Sequence, residues 1–141
     1  MTKNQFSDAI REGQKFLITK QYSHASALSS KILGIEPTNL DALLIQAIAL
    51  QHQNLPQQAL LIVDKIKWQK DDYIPILLIE VQLLQNIGDY ETASKLAQTA
   101  LNLAPGHGNL WHEYSQILYK IGHHTKAEDA FKQYLLHSAE H

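Results

Sequence analysis

The feature that most constrains this chain is a period of 34 residues. Four alanines recur at that interval, namely Ala25, Ala59, Ala93 and Ala127. Gly88 and Gly122 share the interval, and Asn54, which also tolerates a positive φ, stands one period earlier. Unrelated helical hairpins would not hold one register, so the period predicts a single repeat domain. Its windows are 6–39, 40–73, 74–107 and 108–141, and residues 1–5 form an N-terminal tail.

Each window contains two apolar segments at helical spacing, separated by residues that break helices. In the third window Leu77 and Leu84 precede Gly88, and Ala93 and Ala97 follow it. We therefore expect a helix, a tight turn and a second helix in every window, with Asp89 as the N-cap of the second helix. A methyl side chain at the repeated alanine lets the two helices pack at the short end of the roughly 8–10 Å range of interaxial distances.

This pattern resembles the tetratricopeptide repeat family over residues 6–141. The residues at the family's characteristic places in the last two windows are Gly88, Tyr90, Ala93, Ala100, Pro105, Trp111, Gly122, Ala127 and Phe131. The resemblance implies an all-α fold, a right-handed α-solenoid of four helix-turn-helix repeats. It also implies a concave face, lined by the first helix of each repeat, on which partners bind.

Projection of the family geometry gives the expected groove. Its partner-binding residues are Ile10, Gln14, Leu44, Ile48, Leu78, Gln82, His112, Gln116 and Tyr119. An apolar floor bordered by glutamine amides suits an extended or helical peptide with aliphatic anchors, whose backbone the amides would bind. The alternative is that several of these aliphatic side chains pack against neighbouring repeats, which would leave a narrower groove.

One departure from the family pattern recurs at the seventh place of each window. Leucine is usual there, but this chain has Glu12, Gln46, Glu80 and Tyr114. Two interpretations stay open: the row lies at the margin of the packing with its polar ends in water, or it forms a polar contact strip. Burial of the row would require hydrogen-bond partners.

The end of the last window carries a cluster of apolar side chains. Phe131, Leu135 and Leu136 lie in the last repeat, after which the family often adds a solvating helix, and the sequence stops at residue 141. We expect this surface to meet another chain, as in a homodimer, or to adjoin a further part of a longer protein. The third alternative is that the two aromatic side chains, Phe131 and Tyr134, pack against the preceding helix.

Composition argues against several other functions. A net charge of −2 with a single arginine gives no footprint for nucleic acid or for an anionic membrane. The absence of cysteine fits a cytoplasmic protein. Eight histidines are present, but their spacing does not converge on a metal site, and no nucleotide-binding, nucleophile-elbow or zinc-protease motif occurs. We expect no catalytic residue, cofactor or metal.

The sequence therefore predicts a protein-interaction module that binds a peptide or partner protein in its groove. Two alternatives remain. The chain would be an N-terminal regulatory or substrate-positioning domain of a larger bacterial transferase, or a self-associating scaffold.

Overall fold

The computed structural model describes residues 1–138, which form eight α-helices and no strand. The helices are α1 (Lys3–Ile18), α2 (Tyr22–Ile35), α3 (Leu40–His52), α4 (Pro56–Gln69), α5 (Ile74–Asn86), α6 (Tyr90–Leu103), α7 (Gly108–Lys120) and α8 (His124–Ser138). The starts of α2, α4, α6 and α8 are 34 residues apart. The predicted all-α class is confirmed, while residues 139–141, the end of the fourth predicted window, lie outside the described residues.

The helices group into two compact units. The first is Met1–Asp71 and contains α1 to α4, and the second begins at Asp72 and contains α5 to α8. In the first unit α3 packs against both α1 and α2, and in the second α7 packs against both α5 and α6. In each unit, therefore, the second hairpin begins with a helix that is seated on the hairpin before it. A single domain over residues 6–141 stays a prediction.

The first helix begins earlier than the first 34-residue window. Thr2 forms a capping box with Gln5, since the Gln5 backbone N–H donates to Thr2 Oγ1 at 3.2 Å and the Thr2 backbone N–H donates to Gln5 Oε1 at 2.7 Å. Three residues of the expected tail, 3–5, are consequently helical.

Each hairpin turn places one residue in the left-handed region. The four residues are Lys20, Asn54, Gly88 and Gly122, with φ of 61°, 62°, 84° and 89°. At the third turn the Gly88 N–H donates to the Gln85 carbonyl at 3.0 Å, and the Asp89 N–H donates to the Leu84 carbonyl at 2.9 Å. This pair of bonds is the Schellman motif, which satisfies carbonyls left over at the helix end. Asp89 then caps α6, because its side chain accepts from the Thr92 N–H at 3.2 Å, as predicted.

The repeated alanines lie where helices touch. Three of the four are completely buried, and Ala127 is 6% exposed. In the second unit, Ala93 and Ala97 of α6 form a cluster with Val81 and Leu84 of α5 and with Ile117 of α7. Small residues on α6 therefore let α5 and α7 approach it closely, as expected for helices packed at short interaxial distance.

The two tryptophans have different environments. Trp68, near the end of α4 in the first unit, is 90% exposed. Trp111, in α7 of the second unit, is half-buried, and its indole Nε1 donates to the Pro105 carbonyl at 2.7 Å. It packs against a cluster of three buried residues, namely Leu118, Ala127 and Ala130. One indole is thus solvated, and the other is held by the fold.

Candidate functional site

A groove of about 900 Å³ opens between α7 and α8 in the second unit, and Gln85, Asn86 and Tyr90 of the preceding hairpin also line it. Gln116 and Tyr119 line it from α7, while Phe131, Lys132 and Leu135 line it from α8. Leu135 lies four positions after Phe131 and three after Lys132, which is the spacing of one side of a helix. The floor is apolar and the α7 wall carries an amide and a phenol.

The apolar side chains of the groove are substantially exposed. Phe131 is 43% exposed and Leu135 is 51% exposed. Phe131 packs against Tyr134 with ring centroids 5.5 Å apart, and the Tyr119 ring meets His124 edge-on at 4.8 Å. Ring contacts of this kind hold aromatic side chains in defined positions, so the groove presents an ordered apolar surface.

The groove unites residues that the sequence analysis assigned to two different surfaces. Gln116 and Tyr119 were expected in the concave groove, and Phe131 and Leu135 were expected at a C-terminal interface. All four line the same groove, because α8 packs back along α7. Leu136 is also exposed, but it does not line the groove.

Other predicted groove residues are partly occupied by packing. Ile10 is half-buried and packs against two core clusters of the first unit, one containing Ile32 and the other Ile45. Leu78 packs against the cluster of buried residues around Leu77 and Leu110. The His112 ring lies 4.7 Å from the ring of Tyr134 on α8. These contacts leave less free surface at those positions than at Tyr119.

The remaining predicted positions lie in the first unit. Gln14 is exposed on α1, whereas Leu44 and Ile48 are half-buried on α3. Their role in binding stays a prediction.

Glutamine side chains of the second unit join helices to one another. Gln82 Nε2 donates to Glu113 Oε1 at 3.1 Å, and Gln85 Nε2 donates to Glu113 Oε2. One carboxylate on α7 therefore accepts from two amides on α5. Hydrogen bonds to a charged acceptor are stronger than neutral ones, so this contact fixes the position of α7 along α5.

Two members of the polar seventh-place row make a similar contact. Gln46 Nε2 donates to Ser30 Oγ at 3.0 Å, which connects α3 to α2. Gln98 Nε2 donates to the Tyr114 hydroxyl at 2.8 Å, which connects α6 to α7. Both bonds join residues that are 16 positions apart. In each unit, therefore, the seventh-place residue of the second hairpin is hydrogen-bonded to the hairpin before it. Glu12 is exposed and Glu80 is half-buried.

The rim of the groove carries charge that the sequence analysis did not assign to the candidate site. Lys132 and Glu128 lie on α8, and Lys120 lies at the end of α7 with its Nζ 5.8 Å from the centre of the Tyr90 ring. A cation at that distance from an aromatic face is attracted to it. The 34-residue offset from Gln98 identifies Lys132 only once the hydrogen bond between Gln98 and Tyr114 is known.

Neither a metal centre nor a membrane span is found in residues 1–138. Among these residues, no group of three or more histidine or acidic side chains is placed so that it could hold a metal ion. None of the helices formed by these residues has the length and apolar character that crossing a bilayer requires.

Comparison with solved structures identifies the fold. The chain superposes on MamA from Desulfovibrio magneticus RS-1 with a TM-score of 0.86 at 14% identity, covering 98% of this chain and 78% of that one. It superposes on a thermophilic tetratricopeptide protein of Thermus thermophilus with a TM-score of 0.81 at 19% identity, covering 92% and 73%. The predicted tetratricopeptide-type fold is thereby confirmed.

Sequence comparison identifies the family. No curated protein matches the sequence. The sequence model of the ChAPs family, described as Chs5p-Arf1p-binding proteins, matches residues 1–132. That match covers nearly the whole chain, and on this basis the chain belongs to the ChAPs family.

Proposed function

We propose that this chain is a protein-interaction module and that the groove between α7 and α8 is its principal contact surface. The observation that carries the proposal is the convergence of Phe131 and Leu135 with Gln116 and Tyr119 around one open groove. Exposed aromatic and aliphatic side chains beside hydrogen-bonding groups are the composition of interface centres. The proposal assigns no catalytic role to the chain.

The family and the fold support a protein as the ligand. The family is named for proteins that bind other proteins, Chs5p and Arf1p in its description. Repeats of stacked helices present extended surfaces on which partner proteins lie. A partner of this chain would therefore be a protein, and a cytoplasmic setting remains part of the proposal.

The first unit supplies a second surface in this proposal. Gln14 is exposed there, and the half-buried Ile10, Leu44 and Ile48 lie on the first helix of each of its hairpins. We assign these residues a supporting contact with the same partner. Leu78, Gln82 and His112 would make the corresponding contacts in the second unit.

The test places a photo-crosslinking amino acid at Tyr119 of the intact chain, which is 64% exposed in the groove. The matched control carries the same group at Leu61 on α4, which is also 64% exposed. We expect a protein adduct from position 119 and none of the same mass from position 61. Identical adducts from both positions, or none from position 119, would refute the proposed groove.

Affinity and oligomeric state complete the test. Tyr119→Ala and Leu135→Ala should each weaken binding of the captured partner by roughly 1–2 kcal/mol, as at an interface hot spot, with unchanged helicity. Light scattering on the chain alone reveals whether Phe131, Leu135 and Leu136 pair with a second copy. If the chain forms a dimer and Leu135→Glu dissociates it, self-association would be the function of this surface in place of binding to a separate partner.

A further inference from the structure

We propose that the groove between α7 and α8 seats one amphipathic α-helix of a partner protein, in the way that the α5–α6 hairpin seats α7. The bound helix carries two aliphatic anchors seven positions apart and carboxylates between them. This inference rests on the proposed function and specifies the class of partner that the same groove takes.

The apolar part of the argument comes from the contacts of α7. In the second unit, Ala97 of α6 clusters with Ile117, and Leu101 of α6 clusters with Leu110. Leu110 and Ile117 are seven positions apart on α7, so they project from the same side of that helix. They are the two anchors by which α7 sits on its hairpin.

The same places are open on the last hairpin. Phe131 and Leu135 stand 34 positions after Ala97 and Leu101, and both line the groove. Ala127, which corresponds to the buried Ala93, lines it as well. The groove thus carries apolar side chains at the places on which α7 is seated, with Phe131 in place of the smaller Ala97, so a bound helix would pack its second anchor against the Phe131 ring rather than at the close distance that an alanine allows.

The polar part of the argument comes from Glu113. This carboxylate lies three positions after the first anchor and accepts from Gln82 and Gln85. Their counterparts in the groove are Gln116 and Tyr119, which also carry side-chain donors. A carboxylate of the bound helix at this position would accept from both.

A second polar position selects for negative charge. The Tyr114 hydroxyl on α7 accepts from Gln98, and the groove residue that corresponds to Gln98 is Lys132. Lysine has donors and a positive charge but no acceptor, so the facing position of the bound helix must accept. A carboxylate four positions after the first anchor would accept a hydrogen bond from Lys132 and would carry the opposite charge.

The first unit uses the same seat. There α3 packs on α1 and α2, with Ala42, Ile45 and Ala49 in the apolar contacts. Gln46, the counterpart of Tyr114, is hydrogen-bonded to Ser30, the counterpart of Gln98. Two hairpins of this chain therefore receive a helix through apolar contacts and one hydrogen bond at corresponding places, although Ile45 stands where α7 has Glu113.

A second copy of the chain is a poorer occupant. On α1 the places that correspond to the anchors and acceptors hold Asp8, Arg11, Glu12 and Lys15, which are all exposed and charged. On α4, Leu61 and Trp68 are exposed at a spacing of seven. However, Lys65 would then face Lys132, and like charges across an interface are unfavourable. A helix of another protein carries neither penalty.

The probe for the test is a fluorescein-labelled peptide with the sequence of residues 108–120 and the change Tyr114→Glu. It is titrated with the intact chain and followed by anisotropy. We expect saturable binding, weakened about tenfold by Leu135→Ala, because Leu135 corresponds to Leu101, which clusters with the Leu110 anchor. Unchanged circular dichroism and melting temperature of that variant show that the loss does not come from unfolding.

Charge exchange tests the polar part. Lys132→Glu should weaken binding of the peptide that carries Tyr114→Glu about fivefold or more, and a second peptide with Tyr114→Lys should recover it, because the pair is reversed. The control is Lys65→Glu on α4, which should change affinity less than about twofold because Lys65 does not line the groove.

The outcomes separate this inference from the proposed function. If position 119 captures a partner but the peptide does not bind at millimolar concentration, the helix seat is wrong and the groove function stands. If neither binds, both proposals fail. Equal affinity for the two peptides refutes the charge requirement, and self-association abolished by Trp68→Ala would show that a second copy occupies the groove.

Discussion

The hairpin turns allow one substitution to be tested with opposite expected signs. Gly88 adopts a φ of +84° in the turn between α5 and α6, whereas Gly34 lies within α2 and has no positive φ. A Cβ added at either position meets no atom within 4 Å. Clashes with surrounding parts of the fold therefore contribute nothing, and any difference between the two alanine variants reports the local backbone conformation.

The magnitudes follow from that conformation. Alanine in the left-handed region costs about 1–2 kcal/mol. Alanine also lowers the conformational entropy of the unfolded chain, which stabilises the folded state by about 0.4–1 kcal/mol. Gly88→Ala should therefore lower the free energy of unfolding by about 1 kcal/mol. Gly34→Ala should raise it by roughly 0.5–1 kcal/mol, because alanine is the better residue within a helix.

The assay is urea unfolding of the parent and the two variants, followed by circular dichroism at constant pH and salt. Comparison of midpoints is valid where the slope of the transition is unchanged. A Gly88→Ala variant as stable as the parent, or a destabilised Gly34→Ala variant, would contradict the assignment of these two backbone conformations.

Three further predictions concern stability and use the same assay. Lys20→Gly should stabilise the chain by about 0.5–1 kcal/mol, because Lys20 occupies the left-handed region with φ of 61°; destabilisation would contradict this. Ala93→Leu should destabilise by about 1–3 kcal/mol through overpacking, while Ala27→Leu on the exposed side of α2 should have little effect. Tyr114→Phe should cost about 0.5–1.5 kcal/mol by removing the acceptor of Gln98, and no loss would show that water replaces it.

Local sequence signals predicted the turns well, with one gap. Glycine and asparagine at positions 54, 88 and 122 are the residues that tolerate a positive φ, and all three adopt it. Lys20 adopts the same conformation without any such signal, because the packing of α1 on α2 imposes the turn there. The capping box of Thr2 and Gln5 was legible in the sequence and places the start of α1 at Lys3.

The groove was harder to predict because it depends on how α8 lies against α7. The resemblance to the family placed Tyr119 in the concave groove and Phe131 at a C-terminal interface, and only the tertiary contact brings them to one groove. Similarly, the meaning of Lys132 depends on the hydrogen bond between Gln98 and Tyr114. The repeat period shows which residue of the next hairpin corresponds to Gln98, but it does not show that Gln98 and Tyr114 are hydrogen-bonded.

The two tryptophans make the chain its own spectroscopic reporter. The emission of Trp68 should change little on unfolding, since its indole is already 90% exposed in the native first unit. Trp111 is packed and hydrogen-bonded, so the fluorescence change should follow the second unit almost alone. Circular dichroism sums helices from both units. Coincident curves from the two probes would therefore demonstrate a single cooperative transition, and separated curves would give the stability of the second unit without any label.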